Sequence, residues 1–350
     1  MQVSIIGWDI GGAHIKAAIL EPNGVFSRVL QKPCPLWKGI EYLSQAVRQI
    51  LLEIPDKKYI HALTMTGELV DLFDSRNQGV EQILASMQSC LRTQELLIYS
   101  GLDGLLPVAE IKQEHYKNIA STNWLASASL VAKKLKNGIF IDIGSTTSDI
   151  LVLSDKQVQA IGMTDYERLV SEELVYTGIV RTAVMAVTSF VYFKGQGMGL
   201  MAEYFATMAD IYRLTGELKE CHDQTETADG AEKTILASAK RLSRMTGYEF
   251  SDKDLPQWQQ LALYIKAQQK NKIRLACEKQ LSRNLLGKKD FIIGAGIGRF
   301  LARQIARDLA YPYLDFTELF EKKCDGAEMD VADCAPAVSV ALLALEGGSM

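Results

Sequence analysis

Residues 8–20 read WDIGGAHIKAAIL, and residues 141–153 read IDIGSTTSDILVL. Laid one over the other, Asp9 falls on Asp142, Ile10 on Ile143, Gly11 on Gly144 and Leu20 on Leu153. Each copy is an apolar run that ends in Asp-Ile-Gly, a short turn of small and polar residues, and a second apolar run. The pattern predicts a strand, a tight turn and a returning strand, made twice. The identities gather on the turn, which points to an internal duplication.

The rest of the chain alternates strand-like and helix-like segments, as expected for α/β layers. A third strand over 25–30 follows the turn Glu21-Pro22-Asn23-Gly24. Residues 40–53 carry Leu43, Val47, Ile50 and Leu51 at helical spacing. A buried strand over 60–65, a helix over 79–91, a strand over 96–99 and a long helix over 118–135 come next. After the second copy, residues 162–264 read as mainly helical, with helices over 202–212, 231–245 and 258–267. A strand over 290–293 enters Gly294-Ala295-Gly296-Ile297-Gly298 and a helix over 299–309. Residues 331–345 form an alanine-rich terminal helix. The expected division is a first domain over 1–137 and a second over 138–330. The helical insertion of about 162–264 belongs to the second, and the terminal helix packs back on the first.

Composition narrows the function. The 350 residues are 48% hydrophobic and 23% charged, which excludes a disordered chain. Lys and Arg total 38 against 42 Asp and Glu, a net charge of −4. That balance offers no pull towards nucleic acid or an anionic membrane. The longest apolar stretch, 183–193, is shorter than the ~20 residues of a membrane span. The start MQVSIIGWDIGG has no basic stretch ahead of an apolar run, so no secretory leader is expected. Cys34, Cys90, Cys221, Cys277, Cys324 and Cys334 are dispersed and form no CxxC pair. They read as thiols of a cytoplasmic protein. Small molecules are the expected partners, with self-association into a homo-oligomer left open.

Three constellations carry chemistry. In the first turn, Gly11 and Gly12 let backbone N–H groups approach a phosphate, with Lys16 as a point charge. Asp9 at the strand end suits a hydrated magnesium ion. The alternative is a tight hairpin with an incidental aspartate. The second turn offers Gly144, Ser145, Thr146 and Thr147, again after a strand-end carboxylate, Asp142. Asp149 orients that turn or joins the metal set. The third is the glycine loop Gly294, Gly296 and Gly298 at a helix start, which could receive a phosphorylated group or simply permit close packing. Its GAGIGR spacing is not the GxGxxG of a dinucleotide site. His222-Asp223 lacks a third ligand at metal spacing, and His61 reads as structural.

These three turns, in this order, resemble the acetate/sugar kinase, Hsp70 and actin superfamily. The resemblance implies two duplicated ribonuclease-H-like domains flanking a central cleft that closes on a phosphate-bearing ligand. A narrower resemblance rests on ALTMTGE at 62–68, DLFDSR at 71–76 with Gly79, ELVYTGIVR at 173–181, AEYFATMADIYRL at 202–214, TADG at 227–230 and GAGIGRFL at 294–301. These runs are similar to the hydantoinase/oxoprolinase-related proteins of tetrahydromethanopterin-linked one-carbon metabolism. Archaeal members of that group are ether-forming synthases of methanofuran biosynthesis. They join a furanylmethyl diphosphate to the phenol of γ-glutamyl-tyramine and release diphosphate. A bacterial member would make methylofuran, with a tyrosine-type acceptor.

The resemblance assigns roles. Asp9 and Asp142 would hold magnesium, and the turns and glycine loop would hold phosphoryl oxygens. Glu68 and Asp229 are candidate bases for the phenol proton. Thr66 and Tyr176 would line the substrate site, and Arg76 or Arg181 would pair with a substrate carboxylate. ATP is not required for that reaction. Two alternatives use the same turns for ATP: a small-molecule kinase or hydantoinase-type hydrolase, and a nucleotide sensor with no chemistry.

Overall fold

The computed structural model describes residues 3–91, 95–320 and 329–347. In chain order it contains β1 (Ser4–Ile10), β2 (His14–Leu20), β3 (Phe26–Pro33), α1 (Glu41–Leu52), β4 (Tyr59–Met65), α2 (Arg76–Leu91), β5 (Glu95–Tyr99), β6 (Leu105–Pro107), α3 (Tyr116–Ile119) and α4 (Asn123–Lys134). It continues with β7 (Gly138–Ile143), β8 (Ser148–Ser154), β9 (Gln157–Val158), α5 (Asp165–Ser171), β10 (Leu174–Val175), β11 (Phe190–Phe193), β12 (Gln196–Gly199), α6 (Met208–Leu214), α7 (Ile235–Thr246), α8 (Leu255–Leu281), β13 (Phe291–Ala295), α9 (Arg299–Asp308), β14 (Tyr313–Asp315) and α10 (Ala335–Gly347). Two compact units divide the chain. One holds Met1–Gly138, Leu153–Gln159 and Leu314–Met350; the other holds Ile139–Val152 and Ala160–Tyr313.

The first unit is built on a sheet of order β3-β2-β1-β4-β5-β6. β1 pairs antiparallel with β2 and parallel with β4, and every residue of β1 is buried. A strand apolar on both faces needs cover on both. Ile6, Trp8 and Ile10 point into a core shared with Val47 and Ile50 of α1 and Val80 and Ile83 of α2. The opposite face meets α10 at Gly7, where a Cβ would lie 1.9 Å from the Ala337 carbonyl oxygen. The small side chains of α10 permit that approach. Strand alternation puts Asp9 on this same face.

The second unit repeats the arrangement. Its sheet runs β10-β8-β7-β13-β14; β9 pairs with the end of β8 at Leu153 and Ser154, residues that fall within the first unit. This is the order β3-β2-β1-β4-β5 over again, so the two Asp-Ile-Gly turns join equivalent strands. The shared order is that of a ribonuclease-H-like domain, and the duplication read from residues 8–20 and 141–153 is present in the topology.

Several elements differ from the sequence reading. The helix expected over 118–135 is two, because Ser121 takes a left-handed φ of 52° between α3 and α4. The segment 162–264 is not mainly helical: it includes β10 and the β11–β12 hairpin. The helix expected over 202–212 starts only at Met208, since Thr207 and Asp210 form a capping box there. The helix placed at 258–267 extends over Leu255–Leu281, opened by Pro256 in its first turn. Residues Val331–Cys334 form a 3-10 turn before the terminal helix.

Candidate functional site

In the first unit, β1 delivers a buried Asp9 to the end of the sheet. Gly11 donates its N–H to the His14 carbonyl at 3.0 Å, which closes the turn. The N–H groups of Gly12 and Ala13 have no backbone acceptor among the described residues, and both residues are half-buried. Two adjacent N–H groups without a backbone acceptor on one turn are donors that an anion can use. Lys16 Nζ lies 3.7 Å from Asp9 Oδ2. Thr66 seats the end of β4 against this turn through its N–H to the Ile10 carbonyl at 2.9 Å. Glu68 is buried, and its Oε1 accepts from Ser121 Oγ at 2.6 Å. Gly79 lets α2 touch Glu68, since a Cβ would stand 2.4 Å from the Glu68 carbonyl oxygen. Arg76 is half-buried at the start of α2. This turn thus brings Asp9, Gly11, Gly12, Lys16 and Thr66 together.

Two residues here escaped the sequence reading. Asn123, the first residue of α4, donates its side-chain amide to Asp9 Oδ1 at 3.3 Å. Ser121, two residues earlier, holds Glu68. A single bend at 121–123 therefore reaches both carboxylates. A polar run before a helix was the available signal, and it reads equally as an ordinary cap.

In the second unit, Gly144 N–H donates to the Thr147 carbonyl at 2.9 Å, as Gly11 does to His14. No backbone acceptor among the described residues takes the N–H groups of Ser145, Thr146 and Thr147. The glycine loop packs on this turn. Gly296 has φ 78°, and a Cβ there would lie 2.3 Å from Asp142 Oδ1. Gly298 donates its N–H to the Ile143 carbonyl at 2.8 Å, and Gly294 passes under the Tyr313 hydroxyl. Asp142, the 144–147 turn, Gly296 and Gly298 thus form one cluster, while Gly294 packs against Tyr313. Arg181 is exposed, with Nη1 3.5 Å from Thr146 Oγ1. Tyr176 is 64% exposed.

Two other carboxylates are committed elsewhere. Asp149 Oδ1 accepts from Arg168 at 2.7 Å, so it anchors α5 and β8. Asp229 pairs with Arg241 at 3.1 Å and Arg244 at 3.0 Å. Partial burial pushes its carboxyl up, but the Ala231 N–H and the two guanidiniums outweigh that and leave it below the usual range. Such a group holds its arginines and is a poor proton acceptor.

The histidines resolve similarly. His61 Nδ1 accepts the indole N–H of Trp8 at 2.9 Å in the core. His14 is buried within β2. Asp223, beside His222, binds Arg213 at 2.6 Å. Among the described residues no cluster of three or more His, Cys, Asp or Glu side chains is arranged to hold a metal. None of the described helices is long and apolar enough to cross a membrane. Burial pushes the Cys34 thiol up to about 12 and those of Cys277 and Cys334 higher still. Cys324 lies outside the described residues.

A duplicated ribonuclease-H-like sheet with an Asp-Ile-Gly turn in each copy defines the actin, Hsp70 and sugar-kinase type of fold. The nucleotide-free structure of an acetone carboxylase, from work on ATP-dependent acetone carboxylation, shares it, with a TM-score of 0.59 at 8% identity over 97% of this chain and 70% of that one. The sequence profile of the hydantoinase/oxoprolinase family matches residues 60–323, and the chain belongs to that family. It is 33% identical over 246 residues to the (4-{4-[2-(γ-L-glutamylamino)ethyl]phenoxymethyl}furan-2-yl)methanamine synthase of Methanocaldococcus jannaschii, covering 70% of this chain and 72% of that enzyme. A synthase of the same name from Methanococcus vannielii is 34% identical over 110 residues, 31% of this chain and 49% of that one.

Proposed function

We propose that this protein is a transferase of methanofuran or methylofuran biosynthesis. It joins an aminomethylfuran-methyl diphosphate to the phenol of a γ-glutamyl-tyramine or tyrosine-type acceptor. The phenol oxygen bonds to the furanyl methylene carbon as the bond from that carbon to diphosphate oxygen breaks. Diphosphate leaves with the bonding pair, and the phenol proton passes to a carboxylate. The observation that carries this reading is the 33% identity, over 72% of its length, to a synthase whose named product contains the phenoxymethyl-furan ether.

The two turns fit the demand of this reaction. A furan ring stabilises a developing cation, so the main task is to stabilise the departing diphosphate. The N–H groups of Gly12, Ala13 and residues 145–147 are preorganised donors, and Lys16 adds positive charge. Magnesium binds through one or two carboxylates plus substrate phosphates; Asp9 is the candidate ligand on the first turn and Asp142 the candidate on the second. When bound, the ion would neutralise charge on the leaving group. Asp149 does not fit, because Arg168 occupies it. Glu68 is favoured over Asp229 as the base, because Asp229 is held by two guanidiniums. Arg181 is exposed beside Thr146, which suits a fork on the γ-glutamyl carboxylate; Arg76, half-buried at the start of α2, is the alternative. Cytoplasmic placement goes with the buried thiols of Cys34, Cys277 and Cys334.

The test is incubation of the purified protein with magnesium, the furanylmethyl diphosphate and each γ-glutamyl acceptor. Diphosphate release in step with an ether product of the right mass is the expected result, and the better acceptor names the cofactor. ATP turnover with no ether product would replace this reading with the kinase or hydrolase one.

A further inference from the structure

Gln269 lies midway along α8 and is fully buried. A primary amide there is costly unless its polar atoms are satisfied. Its Oε1 accepts from the Tyr212 hydroxyl at 2.5 Å. Its Nε2 spends both hydrogens, on Thr177 Oγ1 at 2.7 Å and on the Gly178 carbonyl at 2.8 Å. A carbonyl only accepts, so the nitrogen must face Gly178 and the orientation of the amide is fixed. The Thr177 carbonyl in turn accepts from Ser148 Oγ at 2.8 Å.

Gly178 lies flat on the second Asp-Ile-Gly turn: a Cβ there would stand 2.4 Å from the Thr146 nitrogen. The next residues complete the backing. Ile179 N–H donates to the Gly144 carbonyl, and those of Val180 and Arg181 to the Ser145 carbonyl, at 2.9–3.0 Å. The Gly144 and Ser145 carbonyls of the turn are thereby held from behind, while no backbone acceptor among the described residues takes the N–H groups of residues 145–147.

We infer that Gln269 is a positioning residue for the diphosphate-binding turn. Its amide clamps Thr177-Gly178, which hold the Ser145-Thr146 peptide in its donor orientation. This inference rests on the reading that this turn receives diphosphate. Packing alone would be served by an aliphatic side chain, whereas both donors of this amide go to the residues that back the turn.

The experiment uses the full chain and two variants, Gln269→Leu and Gln269→Glu. Hydrogen–deuterium exchange is followed over residues 144–147 and 177–181, with residues 8–20 as the internal control. Inorganic diphosphate binding is measured by calorimetry with magnesium. Faster exchange at the bonded N–H groups of Gly144 and residues 177–181 alone is expected, with diphosphate affinity down about tenfold, the scale of a lost buried hydrogen bond. KM for the diphosphate substrate should rise while KM for the phenolic acceptor holds. Lowering the pH should restore part of the affinity to the Gln269→Glu protein, whose protonated carboxyl can donate to Gly178, and none to the Gln269→Leu protein. Unchanged exchange at Gly144 and 177–181 in either folded variant overturns the inference, as does faster exchange with undiminished diphosphate affinity. A wild-type protein that does not bind diphosphate overturns the functional reading instead, and the exchange data still decide whether Gln269 holds the turn. If the Gln269→Leu protein does not fold, the Gln269→Glu protein decides on both measurements.

Discussion

The side-chain amide of Asn123 donates to Asp9 Oδ1 at 3.3 Å, while Lys16 Nζ stands 3.7 Å from the other oxygen. Two separate elements, α4 and β2, thus fix the direction of one carboxylate. Removing the amide with Asn123→Ala should lower kcat/KM about ten- to a hundredfold, the worth of one hydrogen bond to a charged group. Asp9→Asn should cost more, because it removes the charge as well as the geometry. Steady-state kinetics of the two variants checks the order. An Asn123→Ala enzyme with wild-type kinetics would free α4 of any role in the site.

Gly296 sets the distance between the glycine loop and Asp142. With φ at 78° and a Cβ that would meet Asp142 Oδ1 at 2.3 Å, alanine there is both strained and obstructed. Gly296→Ala should cost about 1–3 kcal/mol of stability and most of the activity. Asp142→Asn should leave the melting curve close to wild type and abolish turnover. Parallel thermal melts and product assays separate the two. Equal activity in the Asp142→Asn protein would take that carboxylate out of the mechanism.

Local sequence made the two turns legible. Asp-Ile-Gly after an apolar run can do little else than end a strand, and the repeat named its own partner. The clamps were not legible, because they cross long stretches of chain. Asn123 reaches Asp9 over 114 residues, and Gln269 reaches Thr177 over 92. No periodicity marks such a pairing. Asp229 misleads for the same reason: alone in TADG it looks like a base, but Arg241 and Arg244 come from α7. Ser121 broke a helix that propensity reads as continuous, and its hydroxyl went to Glu68.

The pairing of Trp8 with His61 supports the strand that carries Asp9. Both side chains are completely buried, with the indole N–H 2.9 Å from Nδ1. The imidazole proton therefore sits on Nε2. His61→Phe fills the space but leaves the indole N–H without its acceptor, which should cost about 1–3 kcal/mol. Urea unfolding measures it. Trp8 faces the core opposite Asp9, so activity per folded molecule should change little. A stability unchanged within error would mean that the indole finds another acceptor.

Asp229 ties stability to pH. Its carboxyl is held below the ordinary value of 3.8 by the Ala231 N–H and by Arg241 and Arg244, against the opposing push of burial. A folded-state value that is depressed gives stability that is present above the unfolded value and lost as the pH falls through the folded one. Asp229→Asn should therefore melt below wild type at neutral pH, and the gap should close in acid below the ordinary value. The site is partly open to solvent, so the effect should be small and should shrink further at high salt. Thermal melts of both proteins from pH 7 to pH 3 supply the comparison. A gap that persists unchanged to the lowest pH would assign the loss to packing of the 227–230 loop, and the charge on Asp229 would then have no part in it.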